Sequence, residues 1–269
     1  MKPIDGIAHR LSRIEAGEIR ARRPQHVRRV PVCMPALCRV RHGGKRIRLG
    51  DREMSAGPSQ LVLLPAGCEL DIVNLPGPGG YLADVVGLPP DLLDRFRDRH
   101  GPLLLRQRPG QELCPTMDSP LASAWTLLMD SLHGNAAPEI RLHHAEGVLL
   151  ALALAGQAGP LLREKTDSLT QGLRQLMMLD PAAPWSVETA ARRLNLGAST
   201  LRRRLAEEDA GFQAILEEVR MGLALQQVQD GRRSIAQIAE ASGYASASRF
   251  AARFRQRYGL TPSALRRTL

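Results

Sequence analysis

Over residues 234–262, apolar residues recur at helical spacing in short, sharply bounded stretches. Ile235, Ile238 and Ala239 repeat at i, i+3 and i+4 behind Ser234, a good N-cap, and predict a short helix with one buried face. Ser242-Gly243 breaks it, since Gly243 can supply the positive φ of a tight C-terminal stop and Tyr244 can pack just beyond. Over 246–258, Phe250, Phe254 and Tyr258 lie four apart on one face, with Arg249, Arg253, Arg255 and Arg257 largely on the others. Gly259 ends this second helix, and Thr261-Pro262 starts another with Pro at its first position. Two short helices meeting at a Gly-containing turn, the second one basic, have the form of a DNA-reading helix-turn-helix.

The same arrangement lies upstream, over 185–208. Ser186 can cap a helix carrying Val187, Ala190, Ala191 and Leu194, with Glu188 early in it where the helix dipole favours an acid. Asn195-Leu196-Gly197 makes the turn. Leu201 and Leu205 anchor a second helix, leaving Ser199, Arg202 and Arg203 outward, toward base edges and phosphates. Between the two units, residues 212–229 carry Ile215, Leu216, Val219, Leu223 and Val228 as a helical stripe. At 1.5 Å per residue that connector spans on the order of 27 Å. This is comparable to the ~34 Å between successive major-groove faces on one side of B-DNA, so one chain can address two of them.

The N-terminal half is patterned differently. Residues 1–29 are Arg-rich with little apolar periodicity and read as an arm, disordered in part. Over 30–86, Pro and Gly punctuate short apolar runs at 32–38, 46–49, 60–64, 70–73 and 81–86, which suggests an antiparallel sandwich or barrel. Helical stretches follow at 120–133 and 138–156. The second bears Leu142, Ala145, Leu149, Leu152 and Ala153 on one stripe, which either pairs two subunits or folds back on the chain's own sheet. The stretch 159–167, with Pro160, reads as a linker. The expected organisation is thus an arm (1–29), a sensing and dimerisation domain (30–158), the linker, and a DNA-binding domain (168–269).

Ile238-Ala239, Gly243-Tyr244, Ser246, Ser248, Phe250, Phe254, Arg255, Gly259, Thr261-Pro262 and Arg266 together form a long and specific pattern. It makes residues 185–267 resemble the DNA-binding domain of AraC/XylS-type transcription regulators. The upstream wording, with Trp185, Phe212-Gln213 and Val219-Arg220-Met221, is similar to the branch that includes acid-stress and virulence-gene activators. The resemblance implies an α+β protein: an N-terminal cupin-like β sandwich or barrel with dimerisation helices, and a C-terminal all-α double helix-turn-helix domain. Residues 57–67 look like a segment of such cupin-like domains. DNA contacts carried over on matching positions are Ser199, Thr200, Arg202 and Arg203 in the first unit, and Ser246, Ser248, Arg249, Arg253 and Arg255 in the second. The implied partners are double-stranded promoter DNA, RNA polymerase and a second copy of the chain, with activation as the expected sign of regulation. Two departures stand out: Ala252 occupies a position where the family often has Arg, with an arginine displaced to Arg253, and Ala245 and Ala247 replace common polar residues. The first unit is therefore expected to read sequence and the second to grip the backbone.

Charge agrees with a polyanion partner. The 269 residues carry a formal net charge of +10. From Arg163 onward there are 17 Lys+Arg against 11 Asp+Glu, and before it 20 against 16, so positive charge is denser in the shorter C-terminal part. No long apolar run, lipidation motif or signal peptide is evident, and a cytoplasmic, nucleoid-associated protein without a membrane partner is expected. An enzyme is the competing class. A cupin-type metal enzyme needs several converging His and carboxylate ligands, but the expected sheet offers His42 alone, while His143 and His144 diverge on a helix. An Ada-like DNA-repair regulator needs four thiolates in close pairs, whereas Cys33, Cys38, Cys68 and Cys114 are scattered. No catalytic residue, metal or cofactor is expected. The N-terminal domain is expected to bind either a small apolar or carboxylate effector, with Arg39, Arg41, Lys45 and Arg46 near the mouth of a Leu/Val-rich pocket, or none, its strands enclosing a filled core and those cations being surface charge.

Overall fold

The structure, a computed structural model, describes residues 14, 16–104, 112–162 and 168–269. Their contacts gather into two units. Described residues within 1–24, 34–66 and 73–165 form the first, and those within 25–33, 67–72 and 166–269 the second.

The strands are β1 (Ala16–Ala21), β2 (Gln25–Pro31), β3 (Ala36–His42), β4 (Gly44–Leu49), β5 (Arg52–Ala56), β6 (Leu61–Leu64), β7 (Glu69–Leu75) and β8 (Tyr81–Gly87). They make two four-stranded sheets, ordered β1-β8-β3-β6 and β2-β7-β4-β5. Gly50, at φ +58°, opens the two-residue loop between Leu49 and Arg52, the geometry a right-twisted hairpin needs. Helices α1 (Pro90–Leu104), α2 (Ser119–His133), α3 (Pro138–Leu154) and α4 (Gly159–Leu162) complete the first unit. Leu37, Leu61, Leu63 and Val86 of the first sheet share one core with Phe96, Trp125, Leu149 and Leu152 of these helices. The sandwich also buries a charge-bearing group. Lys45 Nζ donates to Asn74 Oδ1 at 2.7 Å and lies 5.5 Å from the Tyr81 ring centroid, and burial pushes its ammonium pKa down.

Several expectations are corrected here. From Ala16 onward the expected arm is two strands; its residues 1–13 lie outside the described residues. β1 is largely exposed and is held by its backbone ladder to β8, so its side chains carry no apolar signal. The run at 32–38 is displaced, because β2 ends at Pro31 and β3 starts only after Pro35, a residue with no N–H for a ladder. Strand β5 and helix α1 were not anticipated. The stripe of α3 is settled in favour of the chain's own core: Ala145, Leu149, Leu152 and Ala153 are buried in it and Leu142 packs against it, while Ile140 and Leu154 stay exposed. Gly159–Leu162 is a helical turn whose Pro160, Leu161 and Leu162 are buried, not open linker; residues 163–167 are outside the described set.

The second unit contains α5 (Leu169–Leu179), α6 (Val187–Arg193), α7 (Ala198–Glu207), α8 (Phe212–Asp230), α9 (Ile235–Ala241), α10 (Ala247–Tyr258) and α11 (Pro262–Arg266). They enclose two cores. Leu173, Met177, Ala190, Leu201, Ile215, Leu216 and Val219 build one, and Met221, Ala224, Val228, Ile238, Phe250, Phe254, Tyr258 and Leu265 the other. Helix α8 contributes its first half to one core and its second half to the other. Val27 of β2 joins the second core, and Gln25 Nε2 donates to Thr268 Oγ1 at 2.9 Å. Among the described residues no helix is long and apolar enough to cross a membrane.

Candidate nucleic-acid interface

The second helix of each pair is set by the turn before it and by a buried stripe, and side-chain caps start α6, α9 and α10. In the first pair, Ser186 Oγ accepts from Thr189 N–H at 3.1 Å and starts α6. Asn195 turns the chain at φ +55°, and Leu196 N–H closes back on Ala191 O at 2.8 Å. Leu201 and Leu205 then bury one face of α7. In the second pair, Ser234 and Gln237 form a reciprocal capping box, with Gln237 N–H to Ser234 Oγ at 3.2 Å and Ser234 N–H to Gln237 Oε1 at 2.9 Å. Gly243, at φ +76°, makes the turn, and Ser246 caps α10 by accepting from Arg249 N–H. Phe250, Phe254 and Tyr258 stack along the buried face with centroid spacings of 5.7 and 4.6 Å. Burial raises the Tyr258 hydroxyl pKa, so that side chain stays neutral.

On α7, Ser199, Arg202 and Arg203 are exposed as expected and Thr200 is half-buried. Both arginines already hold acids: Arg202 Nη2 lies 2.6 Å from Glu188 Oε1, and Arg203 Nη1 2.6 Å from Glu207 Oε1. The Glu188 carboxyl is held below its usual range first by its own backbone N–H and then by Arg202. On α10, Ser248, Arg249, Arg253 and Arg255 are exposed and Ser246 is half-buried. Arg253 is tied to Glu217 at 3.4 Å and to Gln256 at 2.8 Å. Ala252 is exposed and offers no polar group at its own position. Arg257 is corrected: only 11% exposed, it borders the buried stripe and pairs with Glu69 Oε2 at 2.8 Å, so it faces protein.

Three contributors were missed in the sequence. Glu188 and Glu217 hold the exposed arginines Arg202 and Arg253, and neither sits at a helical spacing from its partner that sequence alone would pair. Glu208 sits at the N-terminus of α5, accepting from Ser168 Oγ at 2.6 Å, Leu169 N–H at 2.8 Å and Thr170 N–H at 3.0 Å. Desolvation acts to raise its pKa, but these hydrogen bonds outweigh it and hold the carboxyl at about 2. Its partners are about forty residues away in the chain, beyond any local signal.

Among the described residues, no group of three or more His, Cys, Asp or Glu is gathered as a metal site. The four cysteines are free thiols, and desolvation pushes Cys33, Cys68 and Cys114 up to about 11.

Residues 190–268 match the family model described as a helix-turn-helix domain. Over 96 residues the chain is 34% identical to the urease operon transcriptional activator of Escherichia coli, covering 36% of this chain and 32% of that protein. The chain thus spans about a third of the length of the curated relatives it matches first. Its fold is similar to that of ToxT from Vibrio cholerae, with a TM-score of 0.68 at 14% identity over 96% of this chain and 99% of that one. It is also similar to ToxT of strain SCE256 with an unsaturated fatty acid bound, with a TM-score of 0.63 at 12% identity over 95% of each chain.

Proposed function

We propose that this chain, whose C-terminal part belongs to the AraC-type helix-turn-helix family, is a sequence-specific DNA-binding transcription regulator that places α7 and α10 in successive major-groove segments. The observation that carries this reading is the pair of core-anchored helices joined by α8, both with arginines on the exposed face. Binding begins with arginine–phosphate attraction and counterion release, which is blind to sequence and sensitive to salt. Ser199, Thr200, Arg202 and Arg203 then read base edges. Ser246, Ser248, Arg249, Arg253 and Arg255 grip mainly the backbone, since Ala252 has removed one reading position.

The whole protein is a non-enzymatic activator that works in the cytoplasm beside the promoter, touching RNA polymerase. A second copy packs on the outward face of α3, where Ile140 and Leu154 are exposed. A small apolar or carboxylate effector, such as the fatty acid that ToxT holds, binds the N-terminal part. Selection of duplexes from random DNA by the full chain, followed by titration of the winner and a scrambled duplex, tests the central claim. The selected duplex is expected to bind at least about 10³-fold tighter, with affinity falling linearly in log salt. Equal affinity for both duplexes would sink it.

A further inference from the structure

We propose that Arg220 fixes the spacing and relative angle of the two recognition helices, and so selects the half-site separation the protein reads; this rests on the DNA-binding function proposed above. Arg220 lies on α8 between Val219, which belongs to the first core, and Met221, which belongs to the second. Apolar packing within each core is not directional and leaves their mutual angle soft. Arg220 supplies direction. Its Nε donates to Pro181 O at 2.8 Å and its Nη2 to Ala183 O at 3.1 Å, two carbonyls of the loop that leads into the first helix-turn-helix. That loop is itself pinned, with Trp185 Nε1 donating to Asp180 O at 2.7 Å and Trp185 N–H to Ala183 O at 2.8 Å.

The same guanidinium lies against the turn of the second helix-turn-helix. A Cβ added at Gly243, which the turn already holds at φ +76°, would come within 2.8 Å of Arg220 Cζ and Nη2 and 3.1 Å of Nε, so the bare backbone lets the planar group lie against the turn. One rigid fork of donors therefore touches both units at once, which a lysine ammonium cannot do. A second tie runs parallel to it: Glu217 of α8 holds Arg253 of α10 at 3.4 Å. Each base pair inserted between half-sites rotates one relative to the other by roughly 34–36°, so a rigid pair of helices tolerates few spacings.

The test uses the full-length chain and the duplex it selects from random DNA. In further duplexes the half-sites are moved by one and two base pairs, and in one of them a half-site is scrambled. Wild type should lose about tenfold or more for a one-base-pair change. Arg220→Ala should bind the scrambled duplex within about twofold of wild type, lose affinity at the original spacing, and vary less than about threefold across spacings. Arg220→Lys should fall between the two, and thermal unfolding of both variants checks that they are folded at the assay temperature. Losses by one common factor on every duplex, or an unchanged spacing profile in both variants, would overturn the proposal. A wild-type chain that prefers no duplex would remove the DNA reading itself, and this role with it.

Discussion

At the residue scale, three of the exposed arginines proposed to meet DNA, Arg202, Arg203 and Arg253, are already paired with acids. Arg202 and Arg203 remain more than half exposed, so exchanging a glutamate for a phosphate or guanine needs only a side-chain rotation. Arg202→Ala and Arg203→Ala are each expected to weaken binding to the selected duplex by about 1–3 kcal/mol and to random DNA much less. Equal losses on both in a fluorescence titration would make them phosphate contacts. Glu188→Gln removes a negative charge beside α7 and frees Arg202. It should tighten binding to any duplex by up to about fivefold at low salt, an effect that fades as salt is raised.

At the element scale, α5 depends on a carboxylate supplied from the end of α7. Glu208 is held at about 2, below its ordinary value, so its contribution is complete above the unfolded pKa and is lost as pH falls from about 5 toward 2. Glu208→Gln should lower stability near pH 7 by about 1 kcal/mol, the size of a typical helix cap, since the group is largely exposed. In that variant the melting temperature should fall less between pH 5 and pH 2 than in wild type. Helix α10 depends on packing instead. Phe254, fully buried between Phe250 and Tyr258, should cost about 3–5 kcal/mol when cut to Ala and should selectively expose the second core to hydrogen exchange.

At the scale of the whole molecule, the C-terminal helices do not complete their own core. Val27 is 2% exposed within it and Gln25 reaches Thr268, although both residues belong to a strand far upstream. A fragment starting at Ser168 should therefore show faster amide exchange in α10 and α11 than the full chain, and equal protection would show that β2 adds nothing. The N-terminal sandwich carries its own signature in Lys45. Its folded pKa is depressed, so the unfolded chain binds the extra proton and stability rises with pH up to about 10.5. Lys45→Met should remove that part of the pH dependence in thermal melts of the full chain.

The double helix-turn-helix was legible residue by residue, because its caps, αL turns and apolar stripes are local: Ser186, Ser234, Ser246, Gly243 and Gly259 all act within a few residues of themselves. The expected bounds of α9, α10 and the connector differ from the observed ones by a residue or so for that reason. The strands were legible in β3, β4, β6, β7 and β8 and invisible in β1, β2 and β5, which rest on backbone ladders to other strands and, for β2, on the C-terminal core that takes in Val27. Only tertiary structure decided which way the α3 stripe faces, since one amphipathic pattern serves equally a self-packed helix and a subunit interface. It alone also decided that Arg257 meets Glu69 and that Arg220 joins both helix-turn-helix units. These contacts connect residues tens to hundreds of positions apart, and no periodicity in the chain encodes such a distance.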